Sequence, residues 1–165
     1  MSRKPGIRLF VAVLALVACK GDAEIPTPRE AIPFELTRLD GTVLNALDLR
    51  GRHVLVDFWA TWCAPCILEI PELNALHERY RGDGVEILAI SIDDLPLEEL
   101  GTWVRENGIE YPVALGTEEL ARRYGALGFP FHVLLSPSGS ILESLSPGFH
   151  DRRELGELLD RHLSG

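Results

Sequence analysis

Cysteine is scarce in this chain: three thiols among 165 residues, at positions 19, 63 and 66. Three cannot build a dense disulfide framework. Structural zinc takes four protein ligands, so it would have to recruit histidines at matching spacing. The five histidines, at 53, 77, 132, 150 and 162, show no such spacing to the cysteines. Basic residues are also short, 16 against 25 acidic, for a net charge of −9. Phosphate binding needs a basic face, so nucleic acid is excluded as a partner. No apolar run approaches the roughly 20 residues of a membrane-spanning helix. There is no internal repeat and no low-complexity tract. Hydrophobic residues at 46% and charged ones at 25% fit one ordinary globular domain with a sizeable core.

The N-terminus differs from the rest. Arg3, Lys4 and Arg8 precede the apolar run Leu9–Ala18 (LFVAVLALVA), which as a helix reaches about 15 Å, half the hydrocarbon thickness of a bilayer. A basic flank and a short apolar core read as a secretory signal over residues 1–18. The run stops at Cys19, and LVAC resembles the bacterial lipobox, which implies lipid on that cysteine. Loss of residues 1–18 removes three basic side chains and moves the charge from −9 to −12. Residues 20–33 (KGDAEIPTPREAIP) hold three prolines and little periodicity, so residues 19–33 read as an anchor and tether. The expected result is a lipid-anchored, extracytoplasmic domain over 34–165, facing the periplasm or cell exterior, where disulfides are permitted.

Within that domain, PFELTRLDGTVLNALDLRG reads as a hairpin around Asp40-Gly41. His53–Trp59 (HVLVDFW) follows as a buried strand. Helical spacing runs from about Cys63 to Arg81, with Leu68, Leu73, Leu76 and Tyr80 expected on the buried side and a kink at Pro71. Val85–Ile92 is the next strand, Pro96–Asn107 a helix, Tyr111–Leu115 an extended piece and Thr117–Tyr124 a third helix. Phe131–Ser136 and Ile141–Leu145 form a second hairpin, and a final helix spans about Asp151–Leu163. Such alternation predicts an α/β fold, a central mixed sheet covered by helices on both faces.

Cys63 and Cys66, in FWATWCAPC, have only each other once Cys19 is committed to lipid. A staple closing so short a loop would stabilise weakly, and a second ligand pair for zinc is missing. Redox work has a positive mechanism. A cysteine at a helix start meets unpaired N–H groups and the positive end of the helix dipole, which favour the attacking thiolate. Cys63 takes that place; Cys66, three residues on, shares its helix face and can close the disulfide. Pro65 fixes the turn between them, and Trp62 shields one side.

VDFWATWCAPC resembles the strand-to-helix active site of the thioredoxin superfamily. WCAPCILEIPELNAL followed by GVEILAISID is similar to the membrane-anchored TlpA/ResA-type thiol-disulfide oxidoreductases, over nearly all of residues 34–163. The resemblance implies a thioredoxin-like fold with an N-terminal hairpin extension and a helical insertion between Ile92 and Gly128. It also implies a buried acid at Asp57 beneath the second cysteine, a second acid at Glu69 and a cis-proline loop at Pro130 that faces the CxxC. Phe131 stands where the family usually has Thr. With Phe129 it makes either an apolar partner platform or a pair of core residues. Trp59 reads as core, His132 as a sheet residue satisfied by a neighbour.

The expectation is a monomeric protein disulfide reductase. Cys63 attacks a substrate disulfide, Cys66 resolves it with Asp57 or Glu69 as proton acceptor, and no metal or organic cofactor takes part. Protein thiols and disulfides are the substrates, an apocytochrome by analogy to relatives, and a membrane electron-donor protein recharges the pair. The rivals are a copper metallochaperone using both thiolates with His132, a thiol peroxidase, and a non-catalytic binding module.

Overall fold

The computed structural model describes residues 29–30 and 32–163. The signal-like segment, Cys19 and the first part of the tether lie outside the described residues. Among those described, no helix is long and apolar enough to cross a membrane. The chain runs β1 (Arg29–Glu30), β2 (Glu35–Arg38), β3 (Val43–Asn45), a 3-10 turn at Ala46–Leu49, β4 (His53–Trp59) and α1 (Ala64–Tyr80). It continues through β5 (Val85–Ser91), α2 (Leu97–Glu106), β6 (Val113–Leu115), α3 (Glu118–Tyr124), β7 (Phe131–Leu135), β8 (Ser140–Ser144) and α4 (Arg152–Leu163).

The strands form one mixed sheet in the order β1-β8-β7-β4-β5-β6-β2-β3. Helical crossovers α1 and α2 return the chain in the same direction, so β4, β5 and β6 are parallel. Tight turns at Asp40-Gly41 and Pro137–Gly139 make β2–β3 and β7–β8 antiparallel. The expected thioredoxin-like α/β architecture holds, with the β2–β3 hairpin docked on β6 at one edge.

Alternation along β4 feeds two cores. Leu55 and Trp59 pack on one face with Leu73 and Leu76 of α1, Leu100 of α2 and Leu155 of α4. Val54, Val56 and Phe58 pack on the other with Leu120 and Tyr124 of α3 and Leu36 and Leu44 of the hairpin. Asp57 therefore shares the α1 face with Leu55 and Trp59. In β7, Leu134 belongs to the α1 face while Phe131, Val133 and Leu135 belong to the other. His132 lies on the α1 side with Leu134, and the register of β4 on β7 sets it directly opposite Asp57.

Three sequence expectations are corrected. Leu68 is 67% exposed, because α1 buries Cys66, Glu69, Ile70, Leu73, Leu76 and Tyr80. A residue two positions past Cys66 projects about 200° around the helix from it. The tether ends earlier than residue 33, because Arg29 and Glu30 pair with Ile141 and Ser140 of β8, and Tyr124 Oη donates to the Ile32 carbonyl at 3.1 Å. Phe131 is a core residue, 4% exposed, its ring 6.4 Å from that of Phe58. It cannot present its ring to a partner, because strand alternation turns it inward.

Candidate active site

The turn between β4 and α1 is tied down by a neighbouring acid. Asp93, buried beyond the end of β5, accepts from the Thr61 backbone N–H at 3.0 Å and the Thr61 hydroxyl at 2.8 Å. The Ser91 hydroxyl donates to the same carboxylate at 2.7 Å, and Ile92 N–H reaches the Trp59 carbonyl at 2.9 Å. Truncating Asp93 leaves buried donors unpaired, at about 1–3 kcal/mol for such a group. Asp93→Ala should lower the urea midpoint accordingly and slow thiol exchange. An unchanged midpoint would show that the turn holds without it.

Cys63 is the N-cap of α1, with extended backbone, and its sulfur accepts the Cys66 N–H at 3.4 Å. The helix start thus directs an unpaired donor at that sulfur, the arrangement that stabilises a thiolate. Pro65 occupies the first turn, where no intrahelical donor is needed. Cys63 and Cys66 are joined as a disulfide with their Cα atoms 5.3 Å apart. Trp62 beside them is 67% exposed, and Phe129 meets its ring edge-on at 6.4 Å between centroids. The Phe129–Pro130 peptide is cis. Trp59 is core, its ring tilted against that of Trp103 at 5.2 Å between centroids.

Beneath α1 three ionisable side chains meet in the interior. Asp57, Glu69 and His132 are 3%, 0% and 0% exposed. His132 Nε2 lies 3.3 Å from Glu69 Oε2 and 3.5 Å from Asp57 Oδ1. These are charge contacts, since neither ring nitrogen has an aligned hydrogen-bond partner among the described residues. Glu69 Oε1 accepts the backbone N–H of His150. Burial pushes the Asp57 carboxyl up to about 7; the His132 charge opposes that rise and the Glu69 charge adds to it. Burial alone would pull His132 down, yet the contact with Glu69 and the charges of Asp57 and Glu69 leave it raised. Burial, with the same two acids, lifts Tyr111 well above 10.

The sequence placed both acids but missed Asp93, His150 and the position of His132. Only the strand register could have revealed the last. Asp57, Glu69 and His132 each present an atom within 4.8 Å of the other two, the one group of three metal-type ligands among the described residues. All three side chains are buried, and His132 Nε2 faces both carboxylates there.

Residues 28–144 match the AhpC/TSA family. The thiol-disulfide oxidoreductase ResA of Bacillus thuringiensis subsp. konkukian is 31% identical, over 93% of this chain and 95% of its own. The ResA of Bacillus subtilis is 27% identical, over 84% and 74%. A thiol:disulfide interchange protein of the thioredoxin family from Chlorobium tepidum superposes with a TM-score of 0.71 at 26% identity, covering 83% of this chain and 97% of that one. A dithiol pair held at a helix start needs no cofactor to exchange electrons with another disulfide. The chain accordingly belongs to the AhpC/TSA family, on the side of the ResA proteins, as a thiol-disulfide oxidoreductase that works through Cys63 and Cys66.

Proposed function

We propose that this enzyme is a monomer held at a bacterial membrane by lipid on Cys19, facing the periplasm or cell exterior, where it reduces protein disulfides. The observation that carries the exchange chemistry is the Cys63 sulfur at the α1 N-cap, accepting the Cys66 N–H, with an acid-rich interior under the same helix. Cys63 thiolate attacks one sulfur of the substrate disulfide; a mixed disulfide forms and the other substrate sulfur leaves as a thiolate. Cys66 gives its proton to Asp57 or Glu69 and attacks Cys63 Sγ, which expels the second substrate thiolate. Substrate is thus reduced by two electrons and the enzyme pair oxidised. A membrane-borne dithiol protein returns the electrons. Trp62, Phe129 and the Pro65–Pro130 surroundings form the contact surface for an extended substrate segment, the aromatic pair supplying its apolar part. The substrate class is an extracytoplasmic protein disulfide, that of an apocytochrome c before haem attachment among them.

Equilibration against glutathione or dithiothreitol tests the direction. A reductase should lie on the reducing side of the glutathione couple, and a potential well above it would make the protein an oxidant. Cys19→Ala tests the anchor. The parent should take up labelled fatty acid and sediment with membranes, while the variant should do neither. A parent that stays unlabelled would refute lipidation.

A further inference from the structure

Three ionisable side chains share the interior under α1, and the exchange steps above employ only the two acids. Two carboxylates in so dry a space each lose hydration and repel one another, so without a counter-charge they stay protonated. A protonated acid accepts nothing from Cys66. His132 Nε2 stands between them, 3.3 Å from Glu69 and 3.5 Å from Asp57. Cys66 and Glu69 lie three residues apart on the buried stripe of α1, neighbours on one helix face.

We propose that His132, as a cationic positioning residue, keeps one of the two acids ionised beneath Cys66 and so sets the pH range in which the second thiol can be deprotonated, a role that rests on the exchange chemistry proposed above. Titratable groups approach it from several neighbouring elements. Asp57 faces it from β4 and Glu69 from α1; Tyr111, from the segment before β6, adds a phenol coupled to both acids. From the α4 side, the His150 ring meets the His132 ring edge-on at 5.5 Å between centroids. His150 Nδ1 lies 3.0 Å from Glu154 Oε2, and the Glu154 charge also favours the imidazolium. The His150 backbone N–H holds Glu69 Oε1, leaving Oε2 to His132. Tyr111 remains a phenol throughout the working range and takes no proton from Cys66.

Protons and electrons balance within the group. In the resolving step the Cys66 proton passes to the ionised acid, a Cys66 electron pair forms the bond to Cys63, and the substrate sulfur leaves with the electrons of the broken bond. The proton is held among Asp57, Glu69 and His132. When a donor dithiol reopens the pair, Cys66 departs as a thiolate and takes that proton back.

The test is the pH profile of resolution. A fluorescent thiol is joined to Cys63 as a mixed disulfide at pH 4, and its release is followed after jumps to pH 5–9. In His132→Asn the midpoint should move alkaline by about one unit or more. Release below the midpoints would then be about tenfold slower, with recovery at high pH. A variant that releases at any rate but with an unmoved midpoint overturns the role of His132 alone. An unaltered protein that releases no thiol at any pH overturns the exchange chemistry and this role with it. If the variant does not fold, imidazole nuclear magnetic resonance on the unaltered protein decides: His132 should remain protonated through pH 7, and a neutral ring there refutes the proposal.

Discussion

Cys63→Ser is expected to drop disulfide exchange to the uncatalysed background while leaving the fold in place. Serine cannot form the mixed disulfide, so the first bond of the reaction is never made. It is nevertheless among the preferred N-cap residues, and its hydroxyl can accept the Cys66 N–H that the Cys63 sulfur accepts now. Helix α1 should therefore persist, and the thermal midpoint should move by no more than the few degrees expected of a change of about 1 kcal/mol. Cys66→Ser should fail differently. Cys63 can still attack, yet nothing resolves the product, so enzyme and substrate should accumulate as a covalent adduct visible by mass and sensitive to dithiothreitol. Substantial turnover by the Cys63 variant would assign the chemistry to another group and end the reading of the helix start as the reactive position.

The second large effect lies on the pH axis. Burial pushes the Asp57 carboxyl up to about 7 in the folded protein, against 3.8 for a free aspartate, so the folded state binds this proton more tightly than the unfolded chain. The stability associated with it is complete below about pH 4 and is lost as pH rises through the window up to about 7. Within that window the parent should lose about 1.4 kcal/mol per pH unit through this group, up to about 4 kcal/mol in all. Asp57→Asn removes the titration. Its stability relative to the parent should grow between pH 4.5 and pH 8, measured as the separation of the urea midpoints. The same variant should resolve mixed disulfides more slowly near neutrality, since one proton acceptor is gone. A separation of midpoints that does not change with pH would mean that Asp57 keeps one ionisation state over the whole range, and the account of the buried cluster would fail with it.

Such a cluster shows where sequence patterns lose their reach. The strand at His53–Trp59 was legible from its β-branched run, and the helix after it from a cysteine and proline at its start. Both hairpins were legible from turn residues, Asp40-Gly41 and Pro137–Gly139. These are local features, decided by backbone preference and by side-chain periods of two and 3.6. Leu68 was misplaced because a helix with apolar residues on more than one side does not announce which stripe faces inward; docking of α1 on β4 and β5 decides that. Phe131 was ambiguous for a similar reason. Its neighbours place an aromatic in either a strand or a loop, and burial against Phe58 becomes visible only once β7 lies beside β4. Arg29 and Glu30 looked like tether because an edge strand of two residues leaves almost no periodic signal.

Taken alone, the amino-acid order specified a single α/β domain, its main elements and a dithiol at the head of a helix, since each follows from contacts between residues close along the chain. Folding in three dimensions chose the partners: it set His132 opposite Asp57, slid Glu69 over both and closed the interior around them. Pairing of distant strands depends on how whole faces bury against each other, and no stretch of sequence carries that information within itself.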